Sequence, residues 1–514
     1  MKKKLYIEFV FLIFLGAITS LSLPPNNFFI INFFSLSLFF VFLIRKSNKK
    51  NNFHHFIYGW LFGFGYFLSN LYWISISLSH DANFKFLIPL TIILIPSFLA
   101  IFYGIVTYLF FILKQKTILS SILTFSLIFG IIEFIRGSIL TGFPWNLFAY
   151  SFSNQLEVLS VISIVGTYGF NLFCISLFLS PALLIIGKNK IQDLSVCILF
   201  LVLTSSFYIY GSFYKEKFNQ VTKINYNFKI RVIGSNISLD RFYQGVDTFS
   251  IIKDLINISD PILNEKTIFI WPEGIIPNIS QNELVEYEWL FSDKFNKNHL
   301  LIVGINNEYT TDEINKYYNS FTVYDNKLNV ISSYNKINLV PFGEFLPFEN
   351  ILRSVGLKSL TNNYQSYSSG NKREIIKIKH GDNLLKVLPL ICYEIIYSGN
   401  LFDKPDFDLI INISEDGWFG QSVGPRQHFT HSIFRAIESG KYVLRSANNG
   451  ISAIINPLGE VEKRVSFGES GYVDFESQKK VQPTLFSKYG NLIFVFLILL
   501  YIFLILSFNR IKNE

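Results

Sequence analysis

Cysteine is nearly absent from this chain: there are three in 514 residues, beside a single methionine. Cys174 and Cys197 fall inside long apolar segments, which leaves Cys392 as the only thiol in a polar part of the sequence. One thiol there cannot form an intrachain disulfide, and a zinc site built on paired cysteines is excluded with it. Charge is scarce too. Asp, Glu, Lys and Arg make up 16% of the residues against 50% hydrophobic ones, a balance too apolar for a soluble protein of this length. No internal repeat stands out, and the abundance of Phe, Ile, Asn and Lys reads as compositional bias.

Long hydrophobic runs fill the space instead. Eight stretches, at 5–23, 28–43, 56–76, 86–113, 118–134, 158–186, 194–210 and 492–508, are long enough to cross roughly 30 Å of hydrocarbon as helices. The opening MKKK and its apolar run resemble a secretory signal, but further spans follow at once, so an uncleaved first span is expected. Between the seventh and eighth runs lies a block of ordinary globular composition, 219–484, long enough for its own core. The expected organisation is a membrane domain over 1–218 with seven spans, a globular domain over 219–484, and a last span with a short cytoplasmic tail over 485–514.

The net charge of +8 follows membrane topology and calls for no nucleic-acid partner. Lys2–Lys4 precede the first span; Arg45, Lys46, Lys49 and Lys50 follow the second, Lys114 and Lys116 the fourth, Lys188 and Lys190 the sixth, and Arg510 and Lys512 the eighth. In an alternating chain these share one side, which the positive-inside rule makes the cytoplasm. Lys85, Lys215, Lys217 and Lys488 lie on the other side. The globular block is then expected outside the cytoplasm.

Within that block, short β-rich runs (FKIRVIG, TIFIW, HLLIVGI, NSFTVYD, LKVLPLI, DLIINIS, KYVLRS and ISAIIN) alternate with loops and helical patterning at 281–295 and 427–440. This is the pattern of an α/β domain with mostly buried strands. Three strand ends each deliver a reactive group: Glu273 in WPEG, Lys336 in YNKINLVPFGEF, and Cys392 in LPLICYE. A thiol with an ordinary pKa near 8.5 is mostly protonated at neutral pH, so a nucleophilic cysteine needs a base or a cation. The block's histidines (His299, His380, His428 and His431) occupy no comparable strand-end motif. A carboxylate and an ammonium can do the same work: Glu273 takes the thiol proton, and Lys336 stabilises thiolate and oxyanion. Taken singly, Cys392 would read as a small buried hydrophobe, Glu273 as a loop acid and Lys336 as a surface cation.

WPEG, YxKxxLVPFGE, ICYE and DGWFG, in that order, resemble the nitrilase superfamily of carbon–nitrogen hydrolases. Spans before and after this block narrow the resemblance to the apolipoprotein N-acyltransferase family. It extends over essentially the whole chain, including ExxRxxxxTGFPWN at 133–146 and RAIESGKYVLRSANNGIS from Arg435. The resemblance implies a membrane protein of about eight transmembrane helices carrying an extracytoplasmic α-β-β-α sandwich. It implies Glu273 as general base, Lys336 as oxyanion stabiliser and Cys392 as nucleophile, with Glu344, Tyr393 and Glu394 in support. Tyr243, Trp418, Phe419, Arg136 and Glu133 are candidate substrate contacts; Glu133 and Arg136 could equally pair with each other. Two departures stand out: Glu415 in SEDGWFG where the family commonly has Asn, and Tyr243 where it often has Trp.

The reaction so implied moves an acyl chain from the sn-1 position of a phospholipid, phosphatidylethanolamine being the usual donor, through a Cys392 thioester. The acceptor is the α-amine of the diacylglyceryl-cysteine that begins an apolipoprotein, and the step is the last in lipoprotein maturation. The enzyme is expected in the bacterial inner membrane with a periplasmic catalytic domain, as a monomer, with no metal and no cofactor. Alternatives are a membrane-tethered amidase, against which the eight spans count, and a transporter with an inactive nitrilase-like domain. A transporter would need charges deep within several spans, and almost none occur. Candidate lids lie at 345–367, 396–405 and 417–429.

Overall fold

A computed structural model describes residues 2–47, 52–243, 246–310, 315–354, 366–381 and 383–510. Lys49, Lys50 and Lys512, and the 355–365 part of the first candidate lid, lie outside the described residues. Among the described residues, seven helices are long and apolar enough to cross a membrane: Leu5–Ser22, Phe53–Ser79, Lys85–Leu113, Ile118–Arg136, Ile162–Ile186, Lys190–Gln220 and Leu492–Arg510. The run at 28–43 forms the helix Ile30–Lys46, whose 17 residues span roughly 26 Å at the α-helical rise. Aromatic rings fill the space between helices, as where Phe39 stacks on Phe62 at 4.2 Å and Phe125 meets Phe110 edge-on at 5.1 Å.

Lys190–Gln220 has 31 residues, roughly 46 Å, and so outreaches a hydrocarbon core of roughly 30 Å. Its far end is tied to the globular block. Lys215 pairs with Glu460 at 2.8 Å, and Lys479 donates to the carbonyls of Phe218 at 3.1 Å and Asn219 at 2.9 Å.

The block contains twelve strands: β1 (Lys223–Gly234), β2 (Thr267–Ile270), β3 (His299–Thr310), β4 (Asn315–Tyr324), β5 (Val330–Asn335), β6 (Ile376–His380), β7 (Asn383–Ile391), β8 (Leu409–Glu415), β9 (Tyr442–Asn448), β10 (Ser452–Ile455), β11 (Val461–Val465) and β12 (Gly471–Lys479). They form two six-stranded sheets, ordered β12-β1-β2-β3-β4-β5 and β11-β10-β9-β8-β7-β6. Each has a parallel centre, β1-β2-β3 and β7-β8-β9, with antiparallel strands outside it. All eight runs picked out in the sequence fall on strands.

Alternation along β2 explains the layering. Ile268 and Ile270 join a core shared with Val387, Leu390, Ile411 and Leu444 of the other sheet. Phe269 and the following Trp271 instead join Ile252 and Leu255 of the helix Thr248–Ser259. The helix Gly424–Ser439 packs against the second sheet, so the centre is buried on both faces and its strands read as unbroken apolar runs. The patterning at 427–440 belongs to that helix. The stretch at 281–295 forms only the 3₁₀ helix Leu284–Tyr287 and the four-residue α-helix Glu288–Phe291. Its start is pinned to β3, where the Gln281 N–H donates to Asn306 O at 2.7 Å.

Candidate active site

Glu273 lies just past β2, Lys336 directly after β5, and Cys392 directly after β7. β2 and β5 belong to one sheet and β7 to the other, so the three groups converge between the sheets at one end. β2 and β7 are buried parallel strands, whose polar groups gather where they end, while β5 brings Lys336 there from the edge of its sheet.

Lys336 is buried and its ammonium donates to Glu273 Oε1 and Glu344 Oε1, each at 3.0 Å. Asn319, on β4, clamps the same two oxygens, donating at 2.7 Å to Glu273 and 2.8 Å to Glu344. The backbone N–H of Glu415 donates to Glu273 Oε2 at 3.0 Å, and that of Val340 to Glu344 Oε2 at 2.8 Å. Glu344 Oε2 also lies 3.0 Å from the ammonium, so carboxylate oxygens of both glutamates crowd around this one cation. Glu273 Oε2 carries a single donor, which leaves it capacity to accept a proton. Burial would lower the Lys336 pKa, but Glu273 and Glu344 together hold it well above the ordinary lysine value. Burial, partly opposed by Lys336, also raises Glu344.

Cys392 opens the 3₁₀ helix Cys392–Ile396 with φ at +47°, a left-handed backbone that a residue with a Cβ keeps only under constraint. Two supports hold this turn. Glu394 Oε2 accepts the Ile391 N–H at 2.9 Å, while Oε1 accepts from Tyr334 (2.7 Å), Arg373 (2.6 Å) and the Ile337 (3.0 Å) and Asn338 (3.2 Å) backbones. One carboxylate thus ties the loop after Lys336 to the turn at the thiol. The second support is His428. Its Nε2 lies 3.3 Å from Cys392 O and its Nδ1 2.9 Å from Asp416, which Arg445 also grips at 2.8 Å. Burial and then Arg445 lower the His428 pKa, opposed by Asp416 and the Cys392 carbonyl that the ring faces.

Burial, and then the Glu273 charge, raise the Cys392 thiol well above its ordinary value, while Lys336 and a hydrogen bond with Ser414 pull it down. Resting Cys392 is therefore a thiol at neutral pH. We expect iodoacetamide to alkylate it slowly at pH 7, with the rate climbing roughly tenfold per pH unit past the range of a free cysteine. A plateau reached by pH 8 would show a pre-formed thiolate instead.

Tyr243, Trp418 and Phe419 gather at the border with the membrane domain. Trp418 meets Tyr243 at 6.5 Å and His80 at 6.0 Å, and Phe419 lies edge-on to Trp73 at 4.6 Å. Glu133 and Arg136 pair with each other, buried, with Tyr103 donating to Glu133 at 2.9 Å. The departure at Glu415 is compensated, since its carboxylate pairs with buried Arg241 of the same segment that carries Tyr243. Sequence alone assigns Asn319, His428, Asp416 and Arg445 no role of their own, although Asp416 opens DGWFG and Arg445 lies in the stretch from Arg435; only the fold brings them near the thiol. Among the described residues no group of three His, Cys, Asp or Glu side chains is arranged to hold a metal ion.

Residues 15–178 match the family described as apolipoprotein N-acyltransferase N-terminal domain, and residues 266–484 the carbon–nitrogen hydrolase family. An apolipoprotein N-acyltransferase from Rhodopseudomonas palustris is 30% identical over 512 residues, covering 96% of this chain and 94% of its own. One from Rickettsia prowazekii is 33% identical over 511 residues, covering 96% and 98%. Among solved structures, a Nesterenkonia AN1 amidase of the nitrilase superfamily aligns with 50% of this chain and 93% of its own, at 12% identity and a TM-score of 0.34. By the near full-length relatives and the two domain matches, this chain belongs to the apolipoprotein N-acyltransferase family, as a membrane-embedded acyltransferase with a carbon–nitrogen hydrolase domain.

Proposed function

We propose that the enzyme works by two half-reactions on Cys392, the first taking an acyl chain from the sn-1 ester of a phospholipid, with phosphatidylethanolamine the natural donor. Glu273 removes the thiol proton as sulfur attacks the ester carbonyl. The oxyanion forms beside the Lys336 ammonium, and collapse expels the lysophospholipid alkoxide, which takes the proton back from Glu273. In the second half, the free α-amine of a diacylglyceryl-cysteine attacks the thioester. Glu273 accepts the amine proton and returns it to the departing sulfur. The observation that carries this reading is the convergence of Glu273, Lys336 and Cys392, with Glu344 and Asn319 fixing the charges. Fusion of this site to membrane helices favours lipid-anchored reactants over a small soluble amide, since it confines both to one plane.

Phospholipid alone should therefore leave a stoichiometric, hydroxylamine-labile acyl group on Cys392, discharged by a diacylated lipopeptide. Cys392→Ala should acquire none, whereas Cys174→Ala and Cys197→Ala should load normally. An acyl group on any other residue would sink the mechanism, and rapid discharge by water alone would favour an amidase.

The loop charges support a periplasmic placement of the block with both ends cytoplasmic, and the enzyme is taken to work as a monomer at the outer leaflet of the inner membrane. A reporter fused after Phe345 should be active only outside the cytoplasm; cytoplasmic activity would invert this topology.

A further inference from the structure

The turn that carries the nucleophile is gripped by the membrane domain, through a loop that none of the steps above employs. Helix Ile118–Arg136 ends at a loop in which Leu140, Thr141 and Gly142 follow one another at φ +52°, +73° and +78°. Consecutive left-handed residues, two of them bearing a Cβ, persist only where the surroundings over-determine them. The surroundings here are the buried ion pair. Arg136 is held by Glu133, its Nη1 donates to Phe143 O, and the Phe143 N–H returns a bond to Arg136 O at 2.9 Å. A Cβ on Gly142 would stand 2.3 Å from Gly137 O and 3.2 Å from the Tyr397 ring, so the loop can pack this tightly only with glycine there.

So held, the loop presents two carbonyls to the catalytic domain. Tyr393 donates its phenol to Gly142 O and Tyr397 to Thr141 O, each at 2.6 Å, across 251 and 256 residues of sequence. Tyr393 directly follows the nucleophile, and Tyr397 directly follows the 3₁₀ helix Cys392–Ile396. A few residues on, Trp145 donates to Gln427 at 2.8 Å and stacks 5.4 Å from His428, the ring that braces Cys392 O. The membrane domain therefore touches the thiol's turn at both ends and also supports its brace.

We propose that the loop at 137–146 is a positioning element for the nucleophile, with the Glu133–Arg136 pair as its anchor and the Tyr393 and Tyr397 hydroxyls as its grip. In this role Glu133 and Arg136 act through the loop and touch no substrate. The active site is then completed by the membrane domain. The inference rests on the reading of Cys392 as the acylated residue.

The test uses the full-length enzyme in detergent micelles with phosphatidylethanolamine, carrying the double substitution Tyr393→Phe and Tyr397→Phe, which keeps both rings and removes both bonds. Maximal Cys392 acylation should fall about 10–100-fold, the loss typical of a misplaced reacting group. The phospholipid concentration giving half-maximal loading should stay within about twofold, and thermal unfolding should move little. Arg136→Lys should lower the rate in the same direction, because an ammonium cannot span Glu133 and Phe143 O together. Lys215→Met breaks a different bridge between the domains and should load normally. Loading by the double variant within about threefold of wild type overturns the proposal. So does a loss that Lys215→Met reproduces with a matching fall in unfolding temperature, since the bonds would then be interdomain cement alone. If the wild type itself acquires no acyl group, the acyl-enzyme reading fails separately. Iodoacetamide alkylation of Cys392 then decides, and an unchanged rate in the double variant overturns the loop's role.

Discussion

Glu273→Gln should yield a folded enzyme that loads no acyl group from phospholipid and transfers none to a lipopeptide. The amide keeps the shape of the carboxylate, and its oxygen still accepts from Lys336 and Asn319, but it cannot take a proton. Losing a general base lowers the rate by about 100–10,000-fold, and the effect should appear in both half-reactions because the same carboxylate serves each. A second readout separates this from simple damage. The Glu273 charge is one of the causes that raise the Cys392 thiol, so removing it should lower that pKa. The variant should then be alkylated faster at neutral pH while failing to acylate. Normal turnover would mean that Glu273 is not the base. Lys336→Arg should fail too. A planar guanidinium does not fit a slot where three carboxylate oxygens sit 3.0 Å from one nitrogen, and losing an oxyanion donor typically lowers the rate about 100–1,000-fold.

The sequence exposes the parts of this protein that repeat a simple rule, and hides those that depend on distant contacts. Spans announce themselves because lipid demands uninterrupted apolar length. The central strands do so because both faces are buried, as in LKVLPLI and DLIINIS. β6 (IKIKH) and β11 (VEKRV) passed unnoticed, since β6 exposes alternate positions, β11 exposes three in a row, and two or three charges dilute each signal. Glu273, Lys336 and Cys392 stood out because each follows a strand inside a specific motif, although β5 before Lys336 is a largely exposed edge strand. Asn319 was not, although it bridges Glu273 and Glu344: it opens an ordinary strand run, and its role exists only once β4 lies beside β5. His428 likewise lies 36 residues from Cys392, on a helix whose pattern reports packing alone. Glu133 and Arg136 could be suspected from intramembrane charge, yet nothing local reveals that their loop reaches Tyr393.

Glu394→Gln should produce the largest loss of stability. This carboxylate, buried between the two sheets, accepts five hydrogen bonds, among them a charge-assisted one from Arg373 at 2.6 Å. Burial alone would raise its pKa, but Arg373 and then the Ile391 N–H hold it below the ordinary glutamate value. An amide offers one accepting atom for two. Whichever way it turns, an NH₂ meets a donor, and the Arg373 guanidinium loses its countercharge while buried. Breaking a buried ion pair from one side costs about 3–5 kcal/mol. For a domain this large that corresponds to roughly 5–15 °C in apparent Tm. Tyr334→Phe removes one neutral donor only and should cost about 1 kcal/mol. The sign of the pH dependence follows from the lowered pKa. The Glu394 contribution is fully present above the unfolded-state value near 4.5 and fades as pH falls through the lower folded value. Wild-type enzyme should therefore lose stability over that acidic window, and Glu394→Gln should lose less there, having less to lose. Because the same carboxylate holds the backbones of Ile337 and Ile391, acylation should slow as well, and Tyr334→Phe should largely spare it. A Glu394→Gln enzyme that unfolds within about 2 °C of wild type would show that the five bonds bring no net stability to the join between the two sheets.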